Sequence, residues 1–100
     1  LGADAVAIAT AALIACGCQQ YRVCNTGKCP VGITTQDPEL RNRFNIEKST
    51  EHLRNYLNVC TDELKYFARL TGNNDIHNLS TDDLCTTNSE ISMYTAIKHV

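Results

Sequence analysis

The sequence has no tryptophan, two phenylalanines and one methionine, and its apolar runs are too short to cross a bilayer. Its 9 lysines and arginines stand against 11 aspartates and glutamates, so no basic stripe is available to neutralise a phosphate backbone. With six aromatic residues per hundred, a base-stacking platform is also disfavoured. We therefore expect neither a nucleic acid nor a membrane as a partner.

No basic leader precedes the apolar residues 5–15, which distinguishes this stretch from a secretory signal peptide. We therefore expect a cytoplasmic protein whose six cysteines are reduced thiols or metal ligands. A chain of 100 residues leaves much of its surface exposed, so a metal, a staple or a partner is expected to stabilise it. Because it opens at Leu1 on an apolar run, we expect it to be part of something longer.

The first residues have the pattern of one unit of an α/β protein. Residues 5–9 (AVAIA) form a short, continuous apolar run, which is typical of a parallel strand covered on both faces. Thr10 follows this run, and residues 11–15 have the composition of a buried helix. A lone parallel strand has no partner in the sequence, so its neighbours are expected to lie outside this segment.

Six cysteines in 100 residues are many, and three of them share a loop-like segment rich in glycine. Cys18, Cys24 and Cys29 have the spacing C-x5-C-x4-C, and Pro30 follows directly. Soft thiolates on a wrapping loop suit an iron–sulfur cluster. From the residues alone, zinc, a disulfide or inert thiols remain open, with Cys16 as a possible fourth ligand. Cys60 and Cys85 are interpreted as small buried packing residues.

The second half has helical patterns. Asp37 and Pro38 predict a helix start, as an N-cap followed by the first helical position. A longer amphipathic helix is expected from Ser49 to Gly72, with residues 61–63 as a possible second start. Its apolar face is predicted at positions spaced by three and four: Leu53, Leu57, Cys60, Leu64 and Phe67. Ser80 predicts a further N-cap, whereas residues 86–100 show no period and are expected to form a loop or dock on a neighbour.

No general acid–base constellation is apparent among the polar residues. The pair Asp82–Asp83 is interpreted as helix-start chemistry, and Gln36 and Arg41 as part of a capped first turn. The three histidines have no neighbours that suggest a metal site, so they are interpreted as surface or packing residues: His52, His77 and His99. No catalytic residue is therefore assigned.

The cysteine segment resembles that of a known family. The run from Cys18 through CPVGITTQDPELR at residues 29–41 resembles the iron–sulfur segment of the large subunit of glutamate synthase. The opening LGADAVAIATAALI at residues 1–14 resembles the stretch just before it, and the end around residues 88–92 is similar to the tail of the archaeal, separately encoded form.

This resemblance implies an α/β fold in which residues 1–17 are the last β/α unit of a (β/α)8 TIM barrel that carries FMN. Residues 18–45 would be the cluster loop, and residues 46–100 an α-helical tail. Cys18, Cys24 and Cys29 would hold a 3Fe-4S cluster, with Cys16 a possible ligand to a fourth iron. The turn at Ala9 and Thr10 would hold the FMN phosphate, although the family usually has glycine at position 9. Alternatively, Thr10 merely caps the helix.

The implied function is that of a glutamate synthase component, an oxidoreductase. It would transfer glutamine-derived ammonia to 2-oxoglutarate, with electrons relayed through the cluster to FMN. The implied partners are the remainder of the barrel, a glutaminase domain or subunit, and a ferredoxin or an NAD(P)H-oxidising subunit as electron donor. Two alternatives stay open: an N-methylglutamate synthase of the same class, and a non-enzymatic interaction module stapled by zinc or disulfides.

Overall fold

The computed structural model describes residues 3–100, which contain four α-helices, two very short strands and three 3₁₀ turns. The helices are α1 (Thr10–Ala15), α2 (Pro38–Arg41), α3 (Ile46–Leu70) and α4 (Ser89–Tyr94), and the strands are β1 (Cys85–Thr86) and β2 (Lys98–His99). The 3₁₀ turns are Cys24–Thr26, Ile76–Asn78 and Thr81–Asp83. The chain divides into two compact units, Ala7–Val59 and residues 3–6 with Cys60–Val100.

The predicted helix after Thr10 is present as α1, but the strand predicted just before it is not paired. Residues 5–9 join no ladder in the described part of the chain. A parallel strand exists only through hydrogen bonds to its neighbours, and the sequence provides none for this run. The prediction of a barrel unit at residues 1–17 therefore stays a prediction, and Leu1 and Gly2 lie outside the described residues.

Helix α2 begins as its sequence predicts. The Asp37 carboxylate accepts hydrogen bonds from the amides of Glu39, at 2.8 Å, and Leu40, at 3.3 Å. Pro38 occupies the first turn, where its missing N–H costs nothing. The cap satisfies two of the amides that would otherwise lack partners, so a helix of only four residues is held at a defined place.

Helix α3 is a single helix, so the predicted alternative of a second start at residues 61–63 is wrong. It begins at Ile46, three residues before the predicted start, because the Asn45 side chain accepts from the Lys48 amide at 2.9 Å and caps it. Gly72, with φ of 77°, follows its end as predicted. The predicted apolar face is largely uncovered, since Leu57, Leu64 and Phe67 are all exposed.

The last part of the chain is more ordered than its sequence indicates. The predicted cap at Ser80 is present and forms a capping box with Asp83 around the turn Thr81–Asp83. Beyond it, β1 and β2 pair in parallel, with Cys85 opposite Lys98, and α4 forms the crossover between them. The expectation of an irregular segment at residues 86–100 is therefore wrong. Asn88, which caps α4 through the amides of Glu90 and Ile91, is the local signal for this helix.

Few side chains are buried in the described residues. Cys29 and Ala68 are the buried apolar side chains, and Thr35 is the buried polar one. With so little apolar burial, the first unit is held mainly by caps, turns and side-chain hydrogen bonds. Among residues 3–100, no helix is both long enough and apolar enough to traverse a bilayer.

Candidate metal centre

Cys24 lies at the start of a tight 3₁₀ turn, Cys24–Thr26. The Thr26 hydroxyl donates to the Val23 carbonyl at 2.7 Å and accepts from the Lys28 amide at 3.2 Å. Gly27 ends the turn in the left-handed region, with φ of 68°. These bonds fix the backbone on both sides of Cys24 and leave the residue itself exposed.

Cys29 lies where the loop folds back on itself. Lys28 and Thr35 form an isolated antiparallel bridge, and the Gly32 amide donates to the Cys29 carbonyl at 3.1 Å. This return places the backbone amides of Thr34, Ile33 and Val31 around the Cys29 sulfur. The Thr34 amide contributes most to lowering the pKa of this buried thiol, from 9.0 to about 7, against the opposing effect of burial. Cys29 is therefore prepared to be a thiolate, the form that binds metals.

The turn at residues 28–35 packs closely against helix α2. Gly32 has φ of 88°, and a Cβ there would overlap the Leu40 carbonyl oxygen and lie 3.2 Å from Phe44. Only glycine meets both requirements, the left-handed backbone and the close approach. The buried Thr35 hydroxyl accepts from the Asp37 amide at 3.1 Å, which joins the same turn to the N-terminus of α2.

Cys18, Cys24 and Cys29 line one small cavity, together with residues 19–23 and Val31. The Gln20 amide donates to the Cys18 sulfur at 3.4 Å. Gln20 and Arg22 have φ of 55° and 58°, and non-glycine residues adopt this left-handed backbone rarely. The predicted ligands are thus gathered by a tightly curved segment. Strain of this kind is commonly found at binding sites.

The arrangement does not converge on a single ion. In the described part of the chain, no three His, Cys, Asp or Glu side chains are grouped closely enough to hold one metal ion. A cluster of several irons distributes its thiolates over more than one metal, so its ligands need not converge on one point. The shared cavity and the amides at Cys29 fit such a cluster in their donor chemistry, since hydrogen bonds to the sulfurs stabilise ligating thiolates.

The other cysteines lie elsewhere. All six are free thiols, and Cys16 lines a different cavity, beside Arg43 and Lys48. Cys60 is half-buried on α3, whereas Cys85 in β1 is exposed, so its interpretation as a buried packing residue is wrong. Sequence reasoning missed the amides around Cys29, because backbone donors have no signature in the side-chain pattern.

The predicted phosphate-binding turn lies at the start of α1. Ala9 is the N-cap residue and its methyl side chain accepts no hydrogen bond, while Thr10 is the first helical residue. The alternative that Thr10 caps the helix is therefore wrong. Both residues are exposed, and the first-turn amides of a helix have no partner within the helix itself. Neither Ala9 nor Thr10 lines the cavity of the three cysteines.

Comparison with known proteins places these features in a family. Residues 1–74 match the family model described as a conserved region in glutamate synthase, which covers the whole cysteine loop and all of α3. The chain belongs to the glutamate synthase family. The predicted resemblance is confirmed.

Relatives of this chain come from several lineages. A glutamate synthase large subunit-like protein of Rhizobium meliloti is 44% identical over 106 residues, covering 90% of this chain and 24% of the relative. An archaeal-type glutamate synthase (NADPH) of Thermotoga neapolitana is 46% identical over 79 residues, 79% of this chain and 16% of the relative. A glutamate synthase (NADH) of Schizosaccharomyces pombe is 48% identical over 65 residues, which is 65% of this chain and 3% of the relative.

The chain thus spans less than a quarter of the length of these curated relatives. No solved structure gives a significant match to it. The cysteine loop lies entirely within the part that the family model covers.

Proposed function

We propose that this chain is the iron–sulfur-binding segment of a glutamate synthase, which transfers glutamine-derived ammonia to 2-oxoglutarate and yields glutamate. The observation that carries the proposal is the single cavity lined by Cys18, Cys24 and Cys29 in a chain of this family. The relatives' names include NADPH and NADH, which supports a reductive reaction. The remainder of the barrel, the glutaminase and the electron donor would be supplied by the rest of the protein or its partners.

The three thiolates would hold a 3Fe-4S cluster, which when bound supplies one-electron transfer to a flavin. The protein's part is to present the sulfurs in the right state and place. The amides of Thr34, Ile33 and Val31 stabilise negative charge on Cys29, and the Gln20 amide donates to the Cys18 sulfur at 3.4 Å. The turn around Thr26 holds Cys24, an exposed residue that lines the cavity. The loop therefore prearranges its ligands through backbone donors.

The turn at Ala9 and Thr10 is the proposed contact to the FMN phosphate. Support comes from its exposed first-turn amides and from the placement of α1 just before the cysteine loop. The Thr10 hydroxyl would donate to a phosphate oxygen. In the full-length protein, Thr10→Val is expected to lower flavin content and leave iron content unchanged, whereas Thr50→Val, at an exposed threonine of α3, should leave flavin content unchanged. Equal flavin content in Thr10→Val and wild type would contradict this assignment.

The test of the cluster is the iron, zinc and acid-labile sulfide content of the full-length protein purified without oxygen. We expect iron and sulfide near the ratio of a three-iron cluster. Cys24→Ser should abolish cluster assembly, whereas Cys60→Ser, at a thiol outside the cavity, should retain it. Zinc in place of iron, or equal cluster loss in both variants, would refute the ligand assignment.

A further inference from the structure

A second cavity of the same unit lies beside Cys16, where the end of α1 meets the start of α3. Its volume is about 230 Å³. It shares Val31 with the cavity of Cys18, Cys24 and Cys29, but none of those three thiols lines it. Drug-sized molecules occupy cavities of about 300 to 1,000 Å³, so this one suits a small ion better than a whole cofactor.

The wall formed by α3 is a polar stripe. Asn45 caps the helix by accepting from the Lys48 amide at 2.9 Å, and it lines the cavity together with Lys48, Ser49 and His52. Steps of three and four residues put these side chains on one side of the helix. Lys48 and His52 are exposed, and no ion pair among the described residues engages either of them. The stripe therefore presents an ammonium, an imidazole and a hydroxyl to the cavity.

A second cation reaches the cavity from the segment between α2 and α3. The Arg43 amide donates to the Leu40 carbonyl at 3.1 Å, which fixes the backbone just after α2. The Nη1 atom of Arg43 donates to the Pro30 carbonyl at 3.3 Å, next to Val31 of the cavity wall. A guanidinium has five N–H donors, so this bond leaves most of them for another acceptor. Arg43 is thus placed by a backbone carbonyl rather than by a carboxylate.

The positive charge of this cavity is not balanced by its own lining. No aspartate or glutamate lines it, whereas Arg43 and Lys48 bring two charges and His52 adds a third when it is protonated. Glu47 and Glu51 lie on the same helix but outside the cavity wall, and neither forms an ion pair with Lys48. Cations held near one another repel, and a bound anion would remove that repulsion.

We propose that this cavity binds a small tetrahedral oxyanion, either inorganic phosphate or the phosphate group of a small ester. Its donors come from two separate segments, and an anion with oxygens on all sides can accept from both. A single planar carboxylate would be satisfied by Arg43 alone, through one bidentate pair. The site is separate from the turn proposed for the FMN phosphate, because neither Ala9 nor Thr10 lines it. It requires neither the cluster nor the proposed reaction.

The bound anion would stabilise the unit that contains the cysteine loop. It would contact α3 and the segment after α2 and, through Cys16 and Gly17, the end of α1. The N-terminus of a helix of 25 residues also favours a negative charge beside it. A ligand that binds the folded unit and not the unfolded chain stabilises it by mass action. Phosphate is therefore expected to slow hydrogen exchange of the amides of residues 43–49.

The test is calorimetric titration of the full-length protein, with its flavin and iron retained, in chloride buffer of constant ionic strength. The probes are inorganic phosphate, glycerol phosphate and succinate. Because the cations are exposed, we expect dissociation constants of about 1 mM for the phosphates, and succinate should bind at least about tenfold more weakly. Tighter binding of glycerol phosphate would identify an ester as the occupant, and tighter binding of inorganic phosphate the free ion. Succinate binding as tight as that of phosphate would overturn the proposal.

Substitutions locate the binding in this cavity. Lys48→Gln should weaken phosphate binding about threefold to tenfold, and adding Arg43→Gln should abolish it. The matched control is Arg54→Gln, which removes one charge from the same helix at an exposed residue outside the cavity and should leave binding unchanged. Equal weakening in Lys48→Gln and Arg54→Gln, or weakening in neither, would overturn the site.

Flavin, iron and sulfide are measured on each preparation, which separates this site from the proposed function. Loss of flavin from Lys48→Gln would assign the cavity to the flavin and overturn the inference. Arg43 also holds the Pro30 carbonyl, so Lys48→Gln alone decides the outcome if the double variant loses iron. A wild-type protein that binds phosphate but lacks iron supports the anion site and refutes the proposed function alone.

Discussion

Gly32 provides the sharpest test of how the cysteine loop is held. Its φ of 88° lies in the left-handed region. Its Cα lies close to Leu40 of α2 and to Phe44, which follows that helix. An added Cβ would overlap the Leu40 carbonyl oxygen, and it would lie 3.2 Å from both the amide nitrogen and the Cβ of Phe44. The obstacle at Leu40 is backbone, which cannot rotate away as a side chain would.

The expected cost of Gly32→Ala has two parts. A left-handed backbone costs an alanine about 1 to 2 kcal/mol, and forcing a methyl group into a filled contact costs about 1 to 3 kcal/mol. Alanine's smaller freedom in the unfolded chain returns about 0.4 to 1 kcal/mol. The net destabilisation of the loop is therefore about 1 to 5 kcal/mol. At Gly27, with φ of 68° and nothing within 4 Å of an added Cβ, the backbone cost alone applies, so Gly27→Ala is the matched control.

Native-state hydrogen exchange of the full-length protein measures this difference directly. The Gly32→Ala variant should speed exchange of the amides between residues 28 and 44 by about fivefold to two-thousandfold, since each 1.4 kcal/mol is a factor of ten. Gly27→Ala should speed it about fifteenfold or less. Cluster retention should fall in the same order. Equal exchange in the two alanine variants would refute the claim that packing against α2 holds Cys29.

Further predictions concern the caps and the thiolate. Asp37→Ala removes the acceptor for two amides and should destabilise α2 by about 1 kcal/mol in the same exchange experiment, whereas Asp37→Asn should retain most of the protection; equal effects would contradict the cap. Ser80→Ala should similarly loosen the turn Thr81–Asp83, with Ser89→Ala, the residue after the Asn88 cap, as the neutral control. In the metal-free protein, the lowered pKa of Cys29 means that its thiolate stabilises the fold fully above pH 9 and that this stabilisation is lost as the pH falls through about 7. Cys29→Ser should remove that dependence from urea unfolding curves, and an unchanged pH dependence would contradict it.

Local hydrogen-bonding signals were readable from the sequence. The caps at Asp37 and Ser80 were predicted because an N-cap depends on one side chain and the next three amides, which the sequence alone specifies. The end of α3 just before Gly72 was predicted because glycine readily adopts the left-handed backbone that follows a helix. Asn45 was not predicted as the cap of α3. The apolar periodicity indicated a start near Ser49, whereas the capping residue lies four positions earlier.

Features that depend on distant partners were not readable. The strands β1 and β2 have two residues each, and the α4 crossover between them brings them into parallel pairing. Strands this short show no alternation of apolar residues from which they could be predicted. Residues 5–9 have the apolar pattern of a buried strand and yet form no ladder in the described chain, because the partners of a parallel strand are never adjacent in sequence. The apolar pattern of a segment indicates its tendency to form a strand, but hydrogen bonds to a neighbouring strand decide whether the strand forms.

The candidate site combines both kinds of information. Spacing predicted that Cys18, Cys24 and Cys29 act together, and they do share a cavity, but only the folded turn distinguishes Cys29 by surrounding its sulfur with amides. That turn depends on the contact of Gly32 with Leu40 and on the bond between Thr35 and Asp37, so the helix that follows the loop helps to prepare its ligand. Because few apolar side chains are buried there, ligand binding would supply much of the energy that orders the loop. Ordering of the loop and binding of the cluster are then thermodynamically coupled. A substitution such as Gly32→Ala, which touches no ligand, should therefore lower cluster occupancy.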